Sequence, residues 1–524
     1  MNTPEEIINS LISIENLNDL STGEALSIIA QLTDISLDLQ KIEGIEKSIR
    51  LNTKLQKRDL KLNQSAVSHY YFANAYAYKR KLATAGTDAS WQWEQNEIEK
   101  EIFHLRKALR LGKGTLPENH ICPITTNLAN LLNEVGRFIE AIELWNRVLD
   151  IDAQFSMALG NRGIGYTYYS HALYDQGQAL LFLKCAYPDL KSAYQKETHH
   201  KDAKASFKAY KDWIESVFKP GELAKDFDVD SHSLGRSKAE KAYRKWCLEN
   251  SLFLNPLNDL GPFPIAAQDV LCVPSIVVGI GEGPYYVGFY NQMKQEFASA
   301  RYLYYEAITT EKAHFSDKGV LLMNTMDYPS YSLAVEKMKA SYRISYSLFD
   351  KIAFFLNRYL ELSIQDRNVS FRTIWYQLQK RNKGLRQEFL NMKNWPLRGL
   401  FWLSKDLFEN KPGFRDALEP EASELNDIRN HLEHKYLKLH EDMWHGPLDD
   451  NDKIFKSLED TLAHSIYRRS FQKKTLRLLK MARAALVYLS LGVQSEEQQR
   501  ALERDPGKVI PRMPMDVWED SWKV

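Results

Sequence analysis

Apolar residues recur at spacings of three and four through most of this chain, whereas strand-like alternation of apolar and polar residues is scarce. Spacings of three and four place apolar residues on one face of an α-helix, whereas alternation places them on one face of a strand. The clearest helical run comprises Leu425, Ile428, Leu432, Tyr436, Leu439 and Met443. We therefore predict an all-α protein, in which one helix spans residues 422–444.

The composition is that of a folded chain with several domains. Its 524 residues include 69 basic and 68 acidic side chains, and 44% are hydrophobic. At ~100–200 residues per domain, this length predicts about three domains. A net charge of +1 excludes a globally basic nucleic-acid-binding protein, but not a local basic patch. No apolar run approaches the ~18 residues that cross a bilayer. We therefore expect no membrane contacts. The four cysteines are few and far apart, which fits the reducing environment of the cytoplasm.

The pattern divides the chain into five segments. We predict an N-terminal helical segment (1–65), helical repeats (66–188), a mixed connector with minor β structure (189–289), a helical bundle (290–495) and an extended tail (496–524). The Val- and Ile-rich run 269–280 is the best strand candidate in the connector. The glycine-rich residues 279–284 that follow fit neither phosphate-loop pattern, so we expect a turn.

The segment 126–152 shows the clearest pair of helices. Leu128, Ala129 and Leu132 precede Gly136, and Phe138, Ala141, Trp145 and Val148 follow it. This spacing of small and large residues resembles a tetratricopeptide repeat, and three degenerate repeats would cover about 66–186. Such an array would offer a concave surface to a protein or RNA partner. Generic helical hairpins are the alternative interpretation.

The segment 424–444 also carries the residues best suited to chemistry. At about 100° per residue, Arg429 and His434 lie about 140° apart on the helix, and Asn430 and Glu433 lie between them. The same arc carries Asn426, Leu437, His440 and Trp444. An arc that combines apolar, cationic and histidine side chains suits contact with another surface, such as a second copy of the bundle.

Arg429-Asn430-x-x-x-His434 resembles the R-x(4–6)-H motif of the HEPN superfamily, whose members are helical bundles and include dimeric, metal-independent endoribonucleases. The resemblance covers about 290–490 and implies a cofactor-free ribonuclease. Fusions of repeats to such a domain are similar to prokaryotic defence and toxin proteins. The resemblance implies cleavage of tRNA, rRNA or mRNA by a homodimer, with a protein trigger or inhibitor on the repeats. A non-catalytic scaffold that binds a protein, RNA or nucleotide is the alternative.

The residue types suit this reaction. The RNA 2′-hydroxyl is the nucleophile, so the protein need only move protons and stabilise negative charge. His434 can act as general acid or base near neutrality. Arg429 can hold the phosphate oxygens, and Asn430 can orient the phosphate or the imidazole. We expect a 2′,3′-cyclic phosphate and a 5′-hydroxyl as products.

Asp350 is a supporting candidate, together with Glu433. It lies in the run 344–360, which is apolar on nearly every side and therefore predicts a central helix in which a carboxylate needs a partner. By analogy with the superfamily, Asp350 could orient Arg429 or His434. An ion pair with Arg343 or Arg358 is the alternative.

RNA binding must come from local charge. No acidic residue lies between 460 and 496, and the candidate RNA-binding residues there are Arg468, Arg469, Lys473, Lys474 and Arg477, with Lys480 and Arg483 beyond them. A smaller cluster near Trp375 and Tyr376 contains Lys380, Arg381, Lys383 and Arg386. A solvated or ion-paired face is the alternative for the first cluster. The histidines at 431 and 434 lack a complete set of metal ligands, so we predict no metal site.

Overall fold

The structure is a computed structural model that describes residues 3–196, 201–225, 227–279, 281–325, 327–408, 422–441, 462–505, 507, 510–511 and 513–523. These residues form seventeen α-helices and two short β-strands, which confirms the all-α class with minor β structure. In chain order the elements are α1 (Pro4–Ser13), α2 (Thr22–Asp38), α3 (Ile42–Leu55), α4 (Leu62–Thr84), α5 (Asn96–Gly112), α6 (Glu118–Glu134), α7 (Phe138–Ile151), α8 (Ser156–Ala172), α9 (Gln176–Gln195), α10 (Lys201–Val217), α11 (Lys238–Glu249), α12 (Tyr285–Thr309), α13 (Leu333–Tyr359), α14 (Gln387–Leu390), α15 (Trp395–Phe408), α16 (Ala422–His434), β1 (Tyr436–His440), β2 (Ala463–Tyr467) and α17 (Arg468–Glu503).

Helices α1–α3 enclose a small apolar core of their own. Ile8, Ile29 and Leu51 are among its buried side chains. The first two helices start at capping boxes, in which Thr3 and Ser21 each pair with a glutamate three residues later. Such caps satisfy amide groups that the first helical turn leaves without partners.

Helices α4–α9 pack as successive pairs, α4 with α5, α6 with α7 and α8 with α9. Small residues allow close approach between neighbouring helices. A Cβ atom on Gly165 would lie 2.6 Å from the Trp145 ring, and one on Gly163 would lie 2.6 Å from Leu190. The N-terminal helical region is therefore consistent with repeats, as the sequence predicted.

The connector contains helices α10 and α11 and a long extended segment. The prediction of a strand over 269–280 is wrong for the residues described, because 269–279 pair with no strand. Ion pairing holds this segment instead. The buried Arg301 guanidinium lies 2.7 Å from Asp269 Oδ2, and Asp269 Oδ1 accepts a hydrogen bond from Leu254 N at 2.7 Å.

The repeat helices and the C-terminal bundle share one apolar core. Gly136, at the turn between α6 and α7, meets α15 backbone to backbone. A Cβ atom on Gly136 would lie 2.0 Å from the Trp395 carbonyl oxygen, and one on Gly399 would lie 2.2 Å from the Gly136 oxygen. Trp93, in the loop between α4 and α5, is buried against Trp375 and the bundle.

A buried charge network crosses the same boundary. Asp406 on α15 accepts two hydrogen bonds of 2.8 Å from Arg106 on α5 and another from Arg137. Arg137 also pairs with Glu140, whose other oxygen accepts a 2.6 Å bond from Tyr488 on α17. The two arginines hold the pKa of the Asp406 carboxyl well below its usual range, despite its complete burial. The repeat region is thus a fixed part of the structure around the bundle.

The bundle consists of helices α12, α13, α15, α16 and α17. Strands β1 and β2 form a two-stranded parallel sheet beside it, in register from Tyr436 opposite Ala463 to His440 opposite Tyr467. Helix α17 extends to Glu503, so the tail predicted to be extended from 496 begins as helix.

Candidate functional site

The motif helix α16 is shorter than the sequence predicted. It buries Leu425, Ile428 and Leu432 against the bundle and ends at His434. The chain then turns into strand β1 at Tyr436, so the prediction of one helix over 422–444 is wrong. Met443 and Trp444 of the predicted helix lie outside the described residues.

The switch to a strand also breaks up the predicted contact arc. Leu437 is 5% exposed and His440 9% exposed, so neither contributes to an open surface. The His440 Nδ1 atom lies 3.0 Å from the Asp327 carbonyl oxygen. Strand β1 pairs with β2, from later in the chain, and this pairing places both side chains in buried positions.

The four polar motif residues remain accessible at the end of α16. Arg429 and Asn430 are half-buried, whereas Glu433 and His434 are exposed. The Arg429 guanidinium lies over the Tyr346 ring at 5.6 Å and donates to Asn430 Oδ1 at 3.3 Å. Within the described part of the chain, the His434 imidazole forms no hydrogen bond or ion pair.

Helix α13 holds α16 at both ends. The Tyr342 hydroxyl donates to the Leu425 carbonyl at 2.6 Å, and the Tyr346 hydroxyl donates to Asn426 Oδ1 at 3.1 Å. At the other end, Arg343 donates to the Leu432 carbonyl at 2.7 Å. A cation at the C-terminus of a helix satisfies carbonyls that have no partner within the helix and complements its dipole. Arg343 thereby fixes the turn that presents His434.

Arg429 lines a groove of about 460 Å³ between α12, α13 and α16. We call it the Arg429 groove, and it combines cations, carboxylates and aromatic rings. Its main lining residues are Arg343, Lys351, Arg429, Asp350, Glu433, Phe289, Tyr346 and Phe354. Burial raises the pKa of the Tyr346 hydroxyl above its ordinary value, so this hydroxyl stays protonated as a donor.

Asp350 lies in the same groove as Arg429, on a helix that is largely buried as the sequence predicted, but Asp350 itself is exposed. Helix α13 turns Asp350 to solvent, as it does Ser347 and Arg358, while Phe349 and Ile352 beside it are buried. Asp350 Oδ1 accepts a hydrogen bond from Phe371 N at 3.0 Å. Arg343 lies 3.8 Å from Glu433, and Arg358 pairs with Asp366. Both arginines therefore have carboxylate partners other than Asp350.

The basic helix predicted to bind RNA is largely engaged within the protein. Three of its cations pair with distant carboxylates: Arg468 with Glu441 at 2.7 Å, Lys474 with Glu424, and Arg477 with Glu143 at 3.8 Å. Lys480 also pairs with Glu143, and Arg483 is buried against Asp259 at 2.6 Å. Of the five predicted RNA-binding residues, only Arg469 and Lys473 are exposed.

The smaller cluster does not offer a stacking surface. Trp375 is 0% exposed and Tyr376 5% exposed, because both pack beneath α15 in the shared core. Arg381 lies 3.3 Å from Glu99 of the repeat region. Arg381 therefore helps to join the two regions.

Burial makes two of the four cysteines poor nucleophiles. None of the four forms a disulfide. Burial raises the pKa of Cys185 to about 11 and that of Cys247 to about 12. At neutral pH these thiols stay protonated, and the thiolate is the reactive form.

This site lies in a stretch of the chain that matches a known protein family. Residues 277–496 match the LA2681-like HEPN family. This match confirms the superfamily that the Arg429–His434 motif resembled, and it covers α12 through most of α17. Comparison with curated proteins and with solved structures gave no match. None of the helices in the described ranges has the length and apolarity to cross a membrane.

Sequence reasoning missed the part that α13 plays in this HEPN domain. Tyr342 and Tyr346 lie four residues apart, on one face of the helix, and Arg343 lies beside them. That spacing was a usable signal, because buried tyrosines need hydrogen-bond partners. The sequence alone could not show that the partners would lie on α16.

Proposed function

We propose that this protein is a metal-independent endoribonuclease whose active site is built on the exposed end of α16. The observation that carries the proposal is the pairing of a restrained arginine with an unengaged histidine on one HEPN helix. Arg429 is held over Tyr346 and beside Asn430, and His434 is open to solvent. The family match supports an RNA-related role for this domain.

In the proposed reaction, the RNA 2′-hydroxyl loses its proton and attacks the adjacent phosphorus. The P–O5′ bond breaks, and the 5′-oxygen takes up a proton. His434 serves as the general base or acid for these transfers. Arg429 donates to the phosphate oxygens, where negative charge builds up in the transition state. Asn430 restrains the Arg429 guanidinium, and the products are a 2′,3′-cyclic phosphate and a 5′-hydroxyl.

The geometry favours a dimeric site. Arg429 and His434 lie about 140° apart around the helix axis, so within one copy their side chains point in different directions. Two α16 helices that face each other would place the histidine of one copy near the arginine of the other. We therefore propose a homodimer through the HEPN domain, with RNA cut where the two copies meet.

We further propose that the repeats receive the signal that controls cleavage, in a defence or toxin-type response. The Gly136–Gly399 contact and the Asp406 network connect the repeat region directly to α15, which packs on α16. In cells, the intact protein should slow growth when it is active, and Arg429→Ala should abolish this effect at equal expression. Growth inhibition by both proteins would argue against a nuclease origin of the toxicity.

The direct test is to incubate purified protein with total RNA and defined tRNAs in EDTA, and to map the product ends. The proposal predicts cyclic phosphate and 5′-hydroxyl ends. A single 2′-deoxy substitution at the mapped position should prevent cleavage there, because it removes the nucleophile. Cleavage of the deoxy substrate, or 5′-phosphate ends, would contradict this mechanism. His434→Ala should abolish this cleavage. His431→Ala is the matched control on the same helix, since the His431 side chain is held by the Asp427 carbonyl at 2.7 Å.

A further inference from the structure

The Arg429 groove extends beyond the motif along α13 and has the composition of a nucleotide site. Its volume of about 460 Å³ falls within the ~300–1,000 Å³ typical of small-ligand clefts. A nucleotide presents a phosphate, a flat aromatic face and hydrogen-bonding edges. Each of these has a counterpart among the side chains that line the groove.

Arg343 is placed to contact a phosphate. Its side chain is 41% exposed, one terminal nitrogen donates to the Leu432 carbonyl at 2.7 Å, and Nε lies 3.8 Å from Glu433 Oε1, beyond hydrogen-bond distance. A guanidinium carries five N–H donors, so this bond leaves others for a ligand. Arg429 lines the same groove, so two guanidinium groups could engage successive phosphates of one RNA strand.

Phe354 and Phe289 supply the aromatic surface. Both rings are half-buried and meet edge to face, with centroids 6.0 Å apart. The Tyr346 and Phe354 rings each have a guanidinium over one face, Arg429 at 5.6 Å and Arg358 at 5.5 Å, so a base can stack only on the opposite face of either ring. Single-stranded RNA is recognised chiefly by stacking of unpaired bases on such rings.

Asp350 supplies a polar group for the base edge. One of its carboxylate oxygens is held by Phe371 N at 3.0 Å, which orients the group at the groove wall. The second oxygen can accept a hydrogen bond. Since a carboxylate only accepts, it would select a base edge that presents an N–H or amino group.

We propose that the Arg429 groove binds the RNA nucleotide next to the scissile phosphate. Arg343 contacts its phosphate, Phe354 stacks on its base, and Asp350 accepts a hydrogen bond from the base edge. This assignment rests on the proposed function, because it places the scissile phosphate at Arg429. RNA would then be recognised on the α12–α13 side of the HEPN domain and not on the ion-paired basic face of α17. Asp350 would be a specificity-determining residue.

The test measures binding of a fluorescent oligoribonucleotide to full-length His434→Ala protein by anisotropy, over a series of salt concentrations. Phe354→Leu keeps apolar volume but removes the stacking face, and should weaken binding about tenfold or more. Phe354→Tyr should restore it. The matched control is Phe315→Leu, an aromatic that is 76% exposed outside the groove, and it should stay within twofold.

Arg343→Gln should lower the salt slope of binding by about one, because it removes one phosphate contact. Arg469→Gln is the control on the competing surface and should leave the slope unchanged. Asp350→Asn keeps an oxygen for Phe371 N but replaces the second acceptor with a donor, so it should change base preference. Loss of binding in Arg469→Gln, with wild-type binding in Arg343→Gln and Phe354→Leu, would overturn the proposal.

The outcomes separate this assignment from the nuclease proposal. Groove-dependent RNA binding without cleavage by wild-type protein would support the groove as an RNA site and count against the nuclease proposal. Normal cleavage with groove variants that bind as wild type does would refute the groove and leave the nuclease standing. A mononucleotide that binds as tightly as the oligonucleotide would identify a free-nucleotide site and overturn the RNA assignment.

Discussion

Replacing Gly136 or Gly399 with alanine tests whether the repeat region and the HEPN domain are joined backbone to backbone. Gly136 adopts φ +89°, a left-handed conformation that ends helix α6. Its added Cβ would lie 2.0 Å from the Trp395 oxygen and 2.7 Å from the Gly399 nitrogen. Both are backbone atoms, so no change of rotamer can relieve the overlap.

The expected magnitudes follow from these contacts. At position 136, the left-handed conformation costs roughly 1–2 kcal/mol for a residue with a Cβ atom. Overpacking adds ~1–3 kcal/mol, so Gly136→Ala should lower the free energy of unfolding by about 2–5 kcal/mol. At position 399, alanine gains ~0.5–1 kcal/mol of helix propensity, and the clash with the Gly136 oxygen outweighs it. With the same overpacking cost of ~1–3 kcal/mol, Gly399→Ala should lower the free energy of unfolding by up to about 2.5 kcal/mol.

Urea titrations of the full chain, followed by circular dichroism, measure these changes. Gly114→Ala is the matched control, because Gly114 has φ +72° but nothing within 4 Å of an added Cβ. It should show the backbone cost alone. The double variant should lose less stability than the sum of the single variants, since both act on one contact. Equal stability of Gly136→Ala and Gly114→Ala would refute the packing of the repeats on α15.

Two further predictions concern buried charges. Asp406→Asn should destabilise the protein by ~3–5 kcal/mol in urea titrations, because it leaves two buried arginines poorly paired. Asp366→Asn, in a pair whose side chains are 57% and 58% exposed, should cost less than ~1 kcal/mol. Burial lowers the pKa of His69 to about 4 and that of His104 to about 2, so both stay neutral in the folded protein while the unfolded chain titrates near 6.5. The free energy of unfolding should therefore keep its full value above pH 6.5. It should fall as the pH drops towards 4, by up to ~1.4 kcal/mol per pH unit for each histidine. A His69→Gln, His104→Gln variant should lose this dependence in thermal unfolding at graded pH; an unchanged dependence would contradict the assignment.

Local patterns predicted much of the fold. Helical periodicity indicated the class, and the small residues of the repeats predicted close helix pairs, which Gly165 against Trp145 illustrates. The motif spacing indicated the family that residues 277–496 match. These features depend on residues near one another in sequence, so the sequence records them directly.

The errors arose where distant parts of the chain decide the outcome. Residues 436–440 fit both a helical and an alternating pattern, and pairing with 463–467 selects the strand. The basic run in α17 looked like an open cationic face, but carboxylates such as Glu143 and Asp259 neutralise it from elsewhere. Asp350 looked central because its neighbours are apolar, yet the helix turns it to solvent.

The central claim is that His434 takes part in metal-independent RNA cleavage. The most direct measurement compares the cleavage rate of one defined RNA by wild-type protein and by His434→Ala, in EDTA and at equal folded concentration. The account predicts a loss of about 10²–10⁴-fold in the variant, the usual contribution of a general acid or base. Equal rates in the two proteins, or cleavage that stops when EDTA is added to the wild type, would contradict it.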